Sequence, residues 1–178
     1  MAGQRLTDKS ALNNHTGSGD LYMVVDVSDT TGSSAGTSKK LDSKFLIQTD
    51  KISVSTAEFQ AMDATGGAGT FKDLVSAQGS GFAIVPLSCT IVNTHSSTES
   101  SVINLLIGYD TSQTTYYWNK EDRYMRNIGT NITYYLVASN SPAGTTIDNV
   151  PLRMYASANF TGSFSADVYI TYHVIKLG

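Results

Sequence analysis

Three histidines, one cysteine and a few neighbouring carboxylates are the residues with which this chain could do chemistry. His15, His95 and His173 are far apart and form no His-x-x-x-His pair, so a zinc site would require an N-terminal arm to close on the rest of the chain. Each reads as a surface residue. Cys89 alternates with Leu87 and Ile91, which predicts a buried and inert thiol, since a reactive cysteine needs an electropositive, partly exposed setting. As the lone cysteine it makes neither an internal disulfide nor a Cys-rich zinc site. Asp26-x-x-Asp29 offers oxygen ligands but lacks the ordered spacing of a calcium loop, and Glu121-Asp122, beside Lys120, Arg123 and Arg126, reads as a solvated turn. The stretch from Gly32 to Lys40 lacks the Gly-Lys-Ser/Thr step of a phosphate loop. A carboxylate pair for sugar hydrolysis can come from any two strands, and no pair is marked out here. No catalytic, metal-binding or cofactor-binding residue is therefore assigned, and a non-enzymatic protein without cofactors is expected.

Tyr116-Tyr117-Trp118 is the surface candidate. On an even strand Tyr116 and Trp118 share one side and could stack on a sugar or on a neighbouring subunit, while Tyr117 faces the other. Asn14-His15-Thr16, Asn131-Ile132-Thr133 and Asn159-Phe160-Thr161 match the glycosylation acceptor pattern, but the opening residues hold no apolar stretch of the kind a secretory signal needs. Synthesis in the cytoplasm is expected, and the three matches read as chance.

The elements that must position these residues are strands. Of 178 residues only 15% are charged, while 22 are Ser and 21 are Thr, a β-protein's composition. The formal net charge of -3 gives no footprint for a nucleic-acid backbone, and no apolar run approaches the roughly 18 residues of a membrane span. The first fifty residues hold one short apolar run, Leu21-Tyr22-Met23-Val24-Val25, between flanks rich in Gly, Asn, Ser, Thr and Asp. One strand cannot cover itself, so this segment is expected to order only against another subunit or another protein, as an attachment arm.

Ser55-Thr56-Ala57-Glu58 is a capping-box pattern that opens a helix of about two turns, with Phe59 and Met62 at helical spacing and Gly66-Gly67 as the stop. Such a helix plugs the end of a β-domain. From residue 70 the apolar period is two. Phe82 and Ile84 share one face, then Leu87, Cys89 and Ile91, and the change of phase across Pro86 predicts a bulge. Further runs fall at 101–109, 113–118, 131–138 and 147–156. The last run alternates Phe164, Ala166, Val168, Ile170, Tyr172 and Val174 with polar partners, a strand of about 12 residues. Seven or eight antiparallel strands with no second helix leave a sandwich or a closed barrel.

Two stretches carry a resemblance. Gly19-Asp20-Leu21-Tyr22-Met23-Val24-Val25-Asp26-Val27-Ser28-Asp29-Thr30, followed by Ala35-Gly36-Thr37-Ser38-Lys39-Lys40-Leu41, resembles a segment recurring in tail-fibre and other virion appendage proteins of tailed bacteriophages. Residues Ser53–Met62 and Phe71–Val85 resemble the entry to a jelly-roll domain of phage minor structural proteins, whose ending is matched by Val150-Pro151-Leu152 and by Asp167–Ile175. The resemblance implies an all-β, antiparallel jelly-roll sandwich with a short capping helix and an extended N-terminal attachment arm. It further implies a homotrimer resembling the tumour-necrosis-factor head, with the arm docked on a capsid or tail protein of the virion. Gly66-Gly67-Ala68-Gly69 lengthens the link after the helix, and no fibrous shaft separates arm from head, which favours a short head fibre or capsid decoration over a long tail fibre.

The expected division is an arm at 1–52, with Leu21, Tyr22, Met23, Val24 and Val25 as attachment residues, and a head at 53–178, with Tyr116 and Trp118 contacting a glycan or a subunit. The alternative role is a tail-fibre or receptor-binding protein that grips host surface polysaccharide. Neither nucleic acid nor membrane is an expected partner.

Overall fold

The computed structural model describes residues 21–32, 34, 36–63, 70–109, 116–120, 124–136 and 147–178. The chain divides into two compact units, Met1–Leu46 and Ile47–Gly178.

In the first unit β1 (Leu21–Asp26) pairs antiparallel with β2 (Thr37–Asp42), from Leu21 opposite Asp42 to Asp26 opposite Thr37. The expectation of a solitary strand is corrected here: Thr-Ser-Lys-Lys-Leu-Asp, with one aliphatic residue in six, supplies the partner. The connecting loop uses up its own carboxylates. Asp26 Oδ1 accepts from the Ser28 amide at 3.0 Å and hydroxyl at 2.6 Å, and Asp29 Oδ1 accepts from the Thr31 amide at 3.1 Å and hydroxyl at 2.6 Å. Lys39 pairs with Asp29 and, with Thr31, holds its carboxyl down at about 2.

The second unit has eight strands: β3 (Gln48–Val54), β4 (Lys72–Val75), β5 (Phe82–His95), β6 (Leu105–Gly108), β7 (Tyr116–Lys120), β8 (Ile132–Leu136), β9 (Leu152–Ala156) and β10 (Phe164–Lys176). They form two four-stranded antiparallel sheets, β3-β10-β5-β8 and β4-β9-β6-β7. The ladders β3–β10, β4–β9, β5–β8 and β6–β7 are nested, as in one long hairpin rolled over on itself. That is the strand order of a jelly roll. Because Gln48–Ile52 pair with β10, the sandwich takes in residues that the division at 52/53 assigned to the arm.

The β10 alternation falls where expected, with Phe164, Ala166, Val168, Ile170, Tyr172 and Val174 all buried. The bulge also falls at Pro86: Tyr172 faces Pro86 and Thr171 faces Ser88, which leaves Leu87 as the extra residue. One expectation fails in consequence. Leu87 does not share the face of Cys89 and Ile91; the bulge turns it out to solvent, 46% exposed.

Helix α1 (Thr56–Ala61) opens on the predicted capping box, with the Glu58 amide donating to Ser55 Oγ at 3.3 Å and the Ser55 amide to Glu58 Oε2 at 2.8 Å. It drives Phe59 into the core against Tyr124, Phe160 and Phe164, at ring-centroid distances of 5.9, 5.7 and 4.9 Å. The Tyr124 hydroxyl donates to buried Asn93 Oδ1 at 2.5 Å, so the aromatic cluster holds no orphaned phenol there.

Glu99, fully buried, ties three connecting segments together. Its carboxylate accepts from the amides of Ser101 (2.8 Å), Thr161 (2.7 Å) and Gly162 (2.9 Å) and from the Thr161 hydroxyl (2.8 Å). Its backbone bonds the β7–β8 segment through the Met125 carbonyl and the Asn127 amide. Gly162 is required by this closeness, because a Cβ there would lie 2.9 Å from the Glu99 nitrogen. Burial works to raise the Glu99 pKa, but the Gly162, Ser101 and Thr161 hydrogen bonds outweigh it, and the net value lies below the ordinary 4.5.

A folded pKa below the unfolded one stabilises above the unfolded value and loses that contribution as pH falls through the folded value. Glu58, at about 2 because Lys72 and the Ser55 amide hold its charge, acts in the same window. Denaturant melts should therefore show stability falling below about pH 4.5, the model-peptide range for Glu. Glu99→Gln, which turns an amide NH2 toward amide donors, should cost about 2–3 kcal/mol at neutral pH and flatten that acid limb.

Candidate functional site

The outer face of the β3-β10-β5-β8 sheet is built by the residues out of phase with the core. The ladders set them in rows: Ser53, Asp167, Val92 and Thr133; then Lys51, Tyr169, Thr90 and Tyr135; then Thr49, Thr171 and Ser88. The first two rows hold a single ion pair, Lys51 Nζ to Asp167 Oδ2 at 2.9 Å, and Ser53 Oγ donates to Asp167 Oδ1 at 2.7 Å. Lys51, then Ser53, hold the Asp167 carboxyl below its ordinary value, and Asp167 raises Lys51 in turn. The Lys51 ammonium also lies 5.9 Å from the Tyr169 ring centroid. The rest of the rows are hydroxyls and apolar side chains. Tyr135 is 77% exposed, and Leu87, Val92 and Tyr169 are exposed as well.

Toward α1 the face deepens into a groove of about 350 Å³, lined by Ser53, Val54, Ser55, Glu58, Val92, Thr94, Ser165, Ala166 and Asp167. Both carboxylates in it are anchored as anions. Glu58 pairs with Lys72 at 2.5 Å and accepts from the Ser55 hydroxyl at 2.9 Å. Lys72 holds the Glu58 carboxyl, and Lys51 the Asp167 carboxyl, below their ordinary values.

The residues expected from the sequence lie elsewhere. The β1 backbone of Leu21–Val25 pairs with β2, and those five side chains lie outside the described residues. Tyr116 and Trp118 belong to β7, the last strand of the other sheet. Trp118 faces Ile107 and Tyr116 faces Gly108, so Tyr117 is an extra residue and the even alternation expected across the three is interrupted. Their side chains also lie outside the described residues.

Tyr135 and Tyr169 were not marked by sequence reasoning. The signal was available: each is an aromatic residue out of phase with an apolar alternation, Ile132-Tyr134-Leu136 in one strand and Val168-Ile170-Tyr172 in the other.

His15, Glu121 and Asp122 fall outside the described residues. His173 sits on the outer face opposite Val85. Asn159 and Thr161 of the third acceptor pattern are engaged internally, Asn159 Nδ2 donating to the Gln60 and Met62 carbonyls and Thr161 to Glu99. Among the described residues no three His, Cys, Asp or Glu side chains gather to hold a metal ion, and no helix is long and apolar enough to cross a membrane.

No protein-family model matches the chain, and no curated protein matches it. Among solved structures, the cyanophage Pam1 capsid asymmetric unit is similar over 99% of both chains, at 13% identity and a TM-score of 0.39, a likeness too distant to transfer a role.

Cys89 is 2% exposed, and burial pushes its thiol up to about 12. A thiol reagent at neutral pH should therefore leave the native chain unlabelled and label one equivalent on denaturation. Rapid native labelling would contradict the buried placement.

Proposed function

We propose that this chain is a non-enzymatic structural protein of a tailed-phage virion, a short head fibre or capsid decoration. Its N-terminal unit attaches to the particle, and its sandwich self-associates as a homotrimer. The observation that carries the reading is the outer face of the β3-β10-β5-β8 sheet. Leu87, Tyr135 and Tyr169 are exposed there, most of their neighbours on the face are hydroxyl residues, and apolar side chains exposed together on one sheet face mark an interaction surface. A second copy is the partner always at hand, and closed homo-oligomers are the commonest soluble assemblies.

Two further features support the reading. The first unit presents a two-stranded hairpin, a structure that is marginal in water on its own and gains most by docking on a larger body. The stretch that resembles phage appendage proteins, Gly19–Thr30, runs into that hairpin, and the stretch that resembles a jelly-roll entry, Ser53–Met62, runs through the end of β3 and α1.

Sedimentation of the full chain at micromolar concentration is expected to give three times 19.1 kDa, and Tyr135→Glu, at an exposed position, should shift it toward monomer with an unchanged far-UV circular dichroism spectrum. A stable wild-type monomer would sink the self-association. On purified particles, a label at Gly178 should decorate the head. Labels confined to the tail tip would replace the head-fibre assignment with a receptor-binding one.

A further inference from the structure

We propose that the groove beside α1 binds a neutral oligosaccharide. The site is built from strand pairing rather than from loops. Ser165 faces Thr94 and Asp167 faces both Ser53 and Val92, so four polar side chains and one aliphatic side chain are held on three adjacent strands, with Glu58 at the rim. Among the described residues, no hydrogen bond engages the hydroxyls of Thr94 and Ser165. Each oxygen of the two carboxylates already has a partner, but their acceptor capacity is not filled. Lys51 and Ser53 hold Asp167, Lys72 and Ser55 hold Glu58, and a carboxylate has about four acceptor sites, so each keeps lone pairs for a ligand.

This lining selects by chemistry. An anion such as phosphate would face two carboxylates. A divalent cation would meet carboxylates whose charge Lys51 and Lys72 already offset. An apolar ligand would strand the hydroxyls without partners. A sugar ring meets all of these conditions: its hydroxyls both donate and accept, as Ser and Thr do, a vicinal pair can donate to one carboxylate, and its C–H face can rest on Val92. The groove volume of about 350 Å³ lies within the range of small-ligand sites. The exposed apolar residues Leu87, Tyr135 and Tyr169 do not line the groove, so self-association through them leaves it open.

The test is an amide-shift titration of the full chain with methyl α-glucoside, methyl α-mannoside, methyl β-galactoside and chitotriose, with sialyllactose as the anionic comparison. At least one neutral sugar should move the amides of Ser53, Ser55, Thr94 and Ser165 and leave those of β8 in place. The double variant Thr94→Val, Ser165→Ala should weaken that sugar by at least about tenfold, as expected when two ligand hydroxyls lose their partners, with an unchanged melt. Should that variant melt early, Val92→Lys at an exposed position serves instead, with the same expected loss. The proposal is overturned if no neutral sugar moves those amides, if sialyllactose binds as tightly, or if the variants bind unchanged. It is equally overturned if a soluble paramagnetic agent fails to reach these amides in the sugar-free protein, since another subunit would then fill the groove. None of these outcomes bears on the oligomeric mass.

Discussion

The period-two alternation of β10, held in register from both sides, is the constraint on which the rest of the second unit depends. Thirteen residues pair with β5 along their whole length and with β3 over the middle, so the strand cannot slip by one residue without turning six core side chains out to water. The same rule that buries Phe164, Val168 and Ile170 aims Ser165, Asp167 and Tyr169 outward. Core and candidate site are thus the two faces of one strand. The bulge at Leu87 corrects the phase of β5 around Pro86, a residue with no amide to give to the ladder, so that Ile84 and Cys89 both face inward.

The few ions are placed to do fixed work. Glu58 completes a helix cap and pairs with Lys72 across to β4; Asp167 joins β10 to Lys51 and Ser53 of β3; Glu99 gathers three connections at one end of the sandwich. The exposed pairs contribute little to stability, since solvent screens them. Their effect is on the surface: the anions of this face are neutralised locally, and what remains for a partner is hydroxyl and apolar area.

Much of this was legible in the sequence because it is local. The Ser55–Glu58 spacing specifies a cap within one turn, the phase change across Pro86 lies within ten residues, and the β10 alternation is contained in the strand itself. What escaped reading was non-local. Glu99 sits in the polar run Ser96-Ser97-Thr98-Glu99-Ser100-Ser101, and nothing nearby reveals that Thr161 and Gly162 supply its donors. Strand β2 carries one aliphatic residue, and its pairing with β1 comes from the turn chemistry of Asp26, Asp29 and Thr37 rather than from an apolar pattern. Tyr135 and Tyr169 were visible as aromatics but not as outward ones until the phase of each strand had been set against the core.

The edges of the β3-β10-β5-β8 sheet are unequal, and the inequality says which side needs a partner. A sheet edge offers unpaired backbone groups, and natural sheets blunt such edges with charge. Strand β3 carries Asp50 and Lys51 among polar neighbours, whereas β8, Ile-Thr-Tyr-Tyr-Leu, carries no charge at all and presents the exposed Tyr135, with Leu87 exposed on the neighbouring β5. An uncharged, aromatic edge strand in a chain this poor in ions invites pairing or burial by another body. Placing the self-association surface on the β8 side answers that edge, and it leaves the charged, hydroxyl-lined β3 side, where α1 begins, facing solvent.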